Sequence, residues 1–256
     1  MQTSLTAASL ITAVFAGTAF AAPVQLEITV QNRAPANSVT FSPLRVGFHN
    51  GLFDAFDAGS AASAGIEALA ELGAGDGWFA ELAAADPTAS MGTVGGALGP
   101  RTPGTSATEV FMVDASINNF FSYGAMVVPS NDNFIGNDDA MGYQILDGAG
   151  NLLISSISLT GADVWNAGTE VTDPATAAFL VGSDAMAGAD ENGTIFADFS
   201  TFAAYAGLAT PAGYNFDPQF GANDEIYRIS FRVVPAPAGL AVVGVGGFIA
   251  TRRRRA

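Results

Sequence analysis

Cysteine and lysine are absent from this chain of 256 residues, and histidine occurs once, as His49. Without cysteine there are no disulfides, no thiolate nucleophile and no cysteine-based zinc or iron–sulfur site. One histidine, beside Asn50 and Gly51, is typical of a turn or strand edge and leaves no histidine-rich metal site. The sequence also lacks H-E-x-x-H, G-x-S-x-G and a phosphate-binding glycine loop. We therefore expect a protein that is not an enzyme.

Positive charge is scarce and unevenly placed. All nine basic residues are arginine, and four of them, Arg252 to Arg255, stand almost at the last residue. The 24 acidic residues lie between Glu27 and Glu225, where five arginines leave a net charge of about −19. Such a surface repels nucleic acid and anionic lipid and attracts divalent cations. We expect no nucleic-acid partner.

Both ends of the chain look like targeting segments. Residues 4–21 are apolar and rich in alanine, and they end in the small-x-small pattern of Ala19, Phe20 and Ala21. We predict a secretory signal peptide over residues 1–21 and a mature protein that begins near Ala22. At the other end, about a dozen apolar residues precede the arginines, fewer than the roughly 20 that span a bilayer. A short transmembrane helix with cytoplasmic arginines would give a transient inner-membrane anchor.

The tail, residues 234–256, resembles the PEP-CTERM class of bacterial sorting signals. The matching features are Val234 to Pro237, the apolar segment from Ala238 to Ala250, and the arginine cluster; Ala236 stands where the commonest version has glutamate. The resemblance implies export across the inner membrane of a Gram-negative bacterium and cleavage near the prolines by an exosortase-type enzyme. The alternative is a plain C-terminal anchor. We expect the protein in the cell envelope, at the cell surface or secreted.

The residues between these segments follow mostly a β pattern. Residues 24–31 alternate apolar and polar side chains, and so do residues 225–234, where Tyr227, Ile229, Phe231 and Val233 share one face. Further strands are predicted at residues 109–115, 123–128, 141–146 and 151–159, with a turn at residues 147–150.

Two short helices interrupt the strands. Residues 63–73 place Ile66, Leu69 and Leu72 on one face and end at Gly73, a helix C-cap, and a second short helix follows at residues 76–86. Many strands with one helical insertion predict an all-β fold, an antiparallel β-sandwich with a short helical insertion.

Oxygen-bearing side chains crowd the stretch from Met126 to Tyr143. An apolar run ends there at Pro129, and three aspartates and three asparagines follow: Asn131, Asp132, Asn133, Asn137, Asp138 and Asp139. Calcium binds about six to eight oxygens from carboxylates, amides, carbonyls and water. The residues alone leave two interpretations open, a calcium site and a solvated turn.

Four stretches, in this order, resemble the spondin domain, the N-terminal module of F-spondin and mindin: residues 39–73, 109–115, 126–136 and 164–171. The sharpest matches are residues 129–136, PSNDNFIG, similar to P-S-P-D-W-F-V-G, and residues 166–170, NAGTE, similar to D-A-G-T-D/E. The resemblance covers roughly residues 24–233. It implies a domain over residues 22–233 with a C2-like antiparallel β-sandwich.

The resemblance also implies a calcium site. In animal members the ligands are a strand glutamate and the aspartates of the two motifs, which correspond here to Asp132 and Asn166. Asn166 departs from the family because an amide replaces a carboxylate, so weak binding is expected. The strand position aligns with Met112; of its acidic neighbours Asp114 and Glu109, Asp114 is favoured because it shares the face of Met112.

The function that the resemblance implies is adhesion without catalysis. We expect a calcium-associated surface or matrix module whose partners are exopolysaccharide or surface proteins. The alternative is a carbohydrate-binding or carbohydrate-processing protein of the envelope, since paired carboxylates can carry out glycoside hydrolysis.

Overall fold

The computed structural model describes residues 23–235. Its α-helices are α1 (Ala64–Leu72) and α2 (Asp76–Ala85), and short 3₁₀ helices span Gly96–Leu98, Gly161–Asp163 and Ser200–Tyr205. Its strands, in chain order, are β1 (Val24–Asn32), β2 (Thr40–Phe41), β3 (Leu44–His49), β4 (Ser90–Val94), β5 (Ser106–Val113), β6 (Phe120–Val128), β7 (Asn133–Gly136), β8 (Ser156–Thr160), β9 (Val164–Asn166), β10 (Phe196–Ala197) and β11 (Glu225–Val234).

These strands form two antiparallel sheets. The four-stranded sheet has the order β5-β1-β11-β8, and the seven-stranded sheet has the order β10-β9-β7-β6-β3-β4, with β2 also paired to β6. The sheets face each other across one hydrophobic core: Phe231 of β11 meets Phe121 of β6 edge to face, with ring centroids 5.0 Å apart. The predicted all-β sandwich with a short helical insertion is confirmed.

The two helices cover the outer face of the seven-stranded sheet. Leu69 of α1 and Trp78 and Leu82 of α2 are fully buried there, in a second apolar cluster. β6 therefore has the core on one side and helices on the other, and eight of its nine residues are buried. A strand covered on both faces reads as a continuous apolar run, which explains the sequence of this segment.

Local sequence signals account for the ends of α1. The Ser63 side chain accepts a hydrogen bond from the N–H of Ile66, as an N-cap does, and Gly73 ends the helix with φ of 64°. Ile66 and Leu69 are buried as predicted, whereas the prediction for Leu72 is wrong, because this side chain is exposed. Leu72 belongs to the last turn, where the helix leaves the sheet.

Two predicted strands are wrong in part. Residues 141–146 form no strand and make only isolated bridges at Gln144 and Leu146, although Ile145 and Leu146 are buried. In the segment 151–159 the strand begins only at Ser156. Loop side chains here fill the core without a continuous ladder, so their apolar pattern resembles that of a strand.

Other predictions concern the ends of the chain. The signal peptide over residues 1–21 and nearly all of the tail from Val234 lie outside the described residues. Within residues 23–235, no helix is both long enough and apolar enough to cross a membrane.

Candidate functional site

Asp132 lies in the short connection between β6 and β7, and its side chain is 1% exposed. Its Oδ2 accepts hydrogen bonds from the backbone N–H groups of Thr169 at 3.0 Å and Glu170 at 3.3 Å. Its Oδ1 accepts a bond from Nδ2 of Asn166 at 2.7 Å. The carboxylate therefore ties the β6–β7 connection to the loop that follows β9, and the two sequence motifs meet.

Asn166 is the last residue of β9 and pairs with Asn133 of β7. Its Oδ1 accepts a hydrogen bond from the N–H of Gly168 at 2.7 Å. This bond fixes the orientation of the amide, since the opposite orientation would direct NH2 at an N–H and oxygen at a carboxylate. The nitrogen, not the oxygen, of Asn166 therefore faces Asp132.

The other two candidate ligands lie elsewhere. Glu109 is exposed on β5, at the edge of the four-stranded sheet, and pairs there with Ile28. Asp114 follows the same strand, and its Oδ1 accepts bonds from the N–H and hydroxyl of Ser116 at 3.1 and 2.6 Å. Asp132 belongs to the seven-stranded sheet, and neither Glu109 nor Asp114 is among the charges that act on it. The fold thus brings Asp132 to Asn166 but not to these carboxylates.

Two glutamates that the sequence reasoning missed take their place beside Asp132. Glu71 is in the last turn of α1, and Glu170 is buried directly after Thr169. Burial, together with the negative charges of Glu170, Glu67 and Asp132, raises the pKa of Glu71 to about 7, although the Thr169 hydroxyl acts to lower it. We call Glu71, Asp132 and Glu170 the carboxyl cluster.

The other two members of the cluster, Asp132 and Glu170, also have pKa values that burial raises. Burial raises the pKa of Asp132 to about 6, with the charges of Glu191 and Glu170 acting in the same direction and two backbone N–H bonds opposing it. Burial likewise raises the pKa of Glu170, and the nearby carboxylates of Asp190 and Glu67 add to the shift. Negative charge in this part of the fold lacks compensation.

The local sequence of α1 contained a signal for this cluster. Glu67 and Glu71 are four residues apart on one helix face, a destabilising pair of like charges. Glu71 also faces the negative end of the helix dipole, and no basic residue occupies the last turn. Such local conflicts are typical of functional positions.

Positive charge within residues 23–235 is used elsewhere. Arg33 and Arg228 pair with Glu225, and Arg232 pairs with Glu27. Arg45 donates to the hydroxyl of Thr93 and a backbone carbonyl, and Arg101 donates to backbone carbonyls. No arginine of the described residues forms an ion pair with the carboxyl cluster.

A cavity of about 210 Å³ opens beside the cluster and is lined in part by Glu67, Thr169 and Asp190. The buried Thr169 hydroxyl meets no hydrogen-bond geometry within the described part of the chain, but it lies close enough to Glu71 to lower the pKa of that carboxyl, as a donor would. Oγ1 of Thr169 is thus an oxygen that a ligand could use. In residues 23–235, however, no three acidic or histidine side chains already converge as a metal centre.

His49, the one histidine, is not at a strand edge exposed to solvent. It is fully buried at the end of β3, where its Nε2 lies 2.9 Å from the Ser122 hydroxyl and its Nδ1 accepts a bond from the N–H of Gly51. Burial lowers its pKa to about 4. It is therefore a neutral core residue near physiological pH.

No model of a known protein family matches the chain, and a search of curated proteins finds no similar sequence. The resemblances to the spondin domain and to PEP-CTERM signals therefore stay predictions.

Proposed function

We propose that this protein is an exported, non-enzymatic binding module of the bacterial cell surface or exopolysaccharide matrix, in which the carboxyl cluster binds calcium. The observation that carries the proposal is the cluster itself, three carboxyl groups in or near the interior that no arginine of residues 23–235 pairs with. Isolated buried charge is unfavourable unless it is paired, and a divalent cation next to Asp132 would offset the negative charge of the whole cluster.

The residues fit an ion on one side of Asp132 and not on the other. Between Asp132 and Asn166 the amide nitrogen already donates to the carboxylate, and a nitrogen that donates cannot also bind a cation. On the side of Thr169, the candidate ligands are the side-chain oxygens of Glu71, Glu170 and Thr169. We propose that these oxygens and Asp132 hold the ion.

A bound calcium ion would supply positive charge and a cross-link. Glu71 belongs to α1, Asp132 to the connection before β7, and Glu170 to the loop after β9. Holding the three together would fasten the helical layer to the edge of the sandwich. The surface formed by these elements would then be organised only in the calcium-rich space outside the cell, which suits an adhesion module.

Calorimetric titration of the metal-free protein with calcium tests the proposal. We expect a dissociation constant on the order of 0.1 to 1 mM, as in weak extracellular sites. Binding at pH 6.5 should release protons, because the pKa values of Asp132 and Glu71 are raised to about 6 and about 7. The measured heat should therefore change with the ionisation enthalpy of the buffer.

Two variants locate the ion. Glu71→Gln should abolish the binding heat, whereas Asp184→Asn, in an exposed turn, should leave it unchanged. Equal losses in both variants, or binding without proton release, would contradict the proposed site. The role at the surface is tested separately, by retention of the protein on its own exopolysaccharide fraction with and without calcium.

A further inference from the structure

A second cavity, of about 310 Å³, lies at the opposite end of β7 and β9 from Asp132. It opens where β7 ends at Gly136 and β9 begins at Val164. Aromatic rings and carboxylates line it together: Tyr123, Tyr143 and Trp165 with Asp138, Asp139 and Asp163. A cavity of this size with aromatic walls and a few convergent polar groups is the usual form of a small-molecule site.

The aromatic side chains are held rigidly. Tyr123 is 2% exposed, yet it lines the cavity, and its hydroxyl lies close enough to that of Tyr143 for the two phenols to share a hydrogen bond. The ring of Tyr143 lies 6.0 Å from that of Tyr123, centroid to centroid. Phe56 packs edge to face against Trp165, with ring centroids 5.1 Å apart, and the indole stays partly exposed. Aromatic surface beside a pair of phenolic hydroxyls suits a ligand with both CH and polar faces.

The three carboxylates are also fixed, each through one oxygen. Oδ1 of Asp138 accepts from the N–H of Ala58 at 3.0 Å, and Oδ1 of Asp139 accepts from the N–H of Met141 at 2.8 Å. Oδ2 of Asp163 accepts from the N–H and hydroxyl of Thr160 at 2.7 and 2.8 Å. Their second oxygens form no hydrogen bond within the described residues and remain available as acceptors.

Charge decides which ligand suits this cavity. Asp54 lies close by, and burial, followed by the charges of Asp57, Asp138 and Asp139, raises its pKa. The five arginines of the described region donate to groups that do not line this cavity. An anionic sugar would be repelled here, whereas a positively charged group would be attracted to the exposed carboxylates of Asp138 and Asp139. A ligand with hydroxyls, an apolar ring face and a positive charge meets every requirement.

We propose that this cavity binds a hexosamine unit with a free ammonium group, as part of a de-N-acetylated polysaccharide. The apolar face of the sugar ring packs on Trp165, the hydroxyls bond to the phenol pair of Tyr123 and Tyr143, and the ammonium group pairs with Asp138 and Asp139. Ammonium groups are attracted both to carboxylates and to aromatic faces. This site is separate from the carboxyl cluster, and neither proposal depends on the other.

Tryptophan fluorescence provides a direct readout. The chain has two tryptophans, and Trp78 is fully buried between α2 and the sheet. A ligand-induced change in fluorescence therefore reports on Trp165. The full chain is titrated at pH 6 with β-1,4-linked tetramers of glucosamine, N-acetylglucosamine and glucose. Only the glucosamine tetramer should change the fluorescence, and its affinity should fall as salt is added.

A matched pair of variants separates specific binding from general attraction to an acidic protein. Asp139 and Asp184 both precede Ala-Met, and each accepts a bond from the N–H of that methionine. Asp139→Asn keeps this local bond and should weaken binding about tenfold, the effect of losing one charged hydrogen bond. Asp184→Asn should have no effect.

Three results would overturn the proposal: equal binding of the N-acetylated tetramer, equal weakening by Asp184→Asn, or unchanged Trp165 fluorescence at millimolar glucosamine tetramer. Tyr143→Ala is a second test at the cavity and should also weaken binding. The calcium titration reports on the carboxyl cluster alone, so the two proposals can fail separately.

Discussion

The amide nitrogen of Asn166 donates to the carboxylate of Asp132 over 2.7 Å. In the family that the sequence resembles, the corresponding residue is an aspartate, and two facing carboxylates need a cation between them. Here the amide supplies the compensating donor itself. The pair is thus a hydrogen bond between two loops that forms with or without calcium.

This relationship makes Asn166→Asp an informative substitution. Without calcium, the new carboxylate would face Asp132 at hydrogen-bond distance and repel it, so the variant should unfold at a lower temperature. With calcium, the added charge should attract the ion, so affinity should rise and stability should recover. Thermal unfolding with and without calcium checks both halves, and a variant that calcium does not rescue would contradict the prediction. Asn151→Asp, in an exposed turn, is the control for an added charge.

The raised pKa of Asp132 predicts a pH-dependent contribution to stability. Its folded pKa of about 6 lies above the ordinary value of 3.8, so the folded state holds the proton more tightly than the unfolded state. Protonated Asp132 makes its full contribution to the free energy of unfolding below about pH 4, and this contribution is lost as the pH rises through about 6. The shift corresponds to about 3 kcal/mol.

His49 titrates in the opposite direction over nearly the same range, since burial lowers its pKa from 6.5 to about 4. We therefore compare the free energy of unfolding of the wild type with that of Asp132→Ala, both without calcium, because His49 contributes equally to the two and cancels in the difference. This difference should be larger at pH 4.5 than at pH 7.5. A difference independent of pH would mean that Asp132 has an ordinary pKa.

How much the sequence could predict depended on the surroundings of each segment. β1 and β11 were predicted because each has one face on the core and one on solvent, which produces strict alternation. β7 has only four residues, all buried, and such a segment has no periodicity to detect. β3 was missed for a related reason, as five of its six residues are buried.

Whether the sequence could predict a residue of the candidate site likewise depended on where that residue lies. Asp132 and Asn166 were found because each lies in a short motif. Glu71 was missed because its helix meets the loop of Thr169 only in the folded chain. The four-residue spacing from Glu67 indicates an unfavourable pair of charges in α1, but it does not indicate the loop that this pair meets. The choice of Asp114 relied on strand parity, but Met112 and its neighbours of the same parity face outward on β5. Parity identifies a shared face without saying which side of the sheet it is on.

Close packing between helices and sheet predicts an effect of substituting two glycines. A Cβ at Gly47 of β3 would fall well inside the contact distance of Leu82, and one at Gly124 of β6 would lie 2.6 Å from Leu69. Gly47→Ala and Gly124→Ala should each cost about 1 to 3 kcal/mol of unfolding free energy. Gly148→Ala is the control, since no atom lies within 4 Å of its Cβ. Chemical denaturation should show a lower free energy of unfolding for Gly47→Ala and Gly124→Ala and no change for Gly148→Ala.

Processing at both ends is tested by intact-mass measurement of the surface or secreted form. We expect an N-terminus near Ala22 and a C-terminus close to Val234 or Pro235, because a signal peptidase and an exosortase-type enzyme would remove the flanking segments. Released protein that still carries Arg252 to Arg255 would contradict the predicted sorting. Replacing the four arginines should leave more of the chain uncleaved.

The contact between Phe231 and Phe121 predicts how strongly the last strand holds the two sheets together. Phe231 is 5% exposed, and its ring crosses the core from β11 to β6. Phe231→Ala should therefore cost about 3 to 5 kcal/mol, the range for removing a core aromatic ring. Val233 has the same parity on the same strand but is 37% exposed, and the pairing of β8 with β11 ends before it, at Ser230. Val233→Ala should cost less than about 1 kcal/mol. Equal losses in urea denaturation would show that β11 contributes through its backbone ladder and not through this aromatic contact.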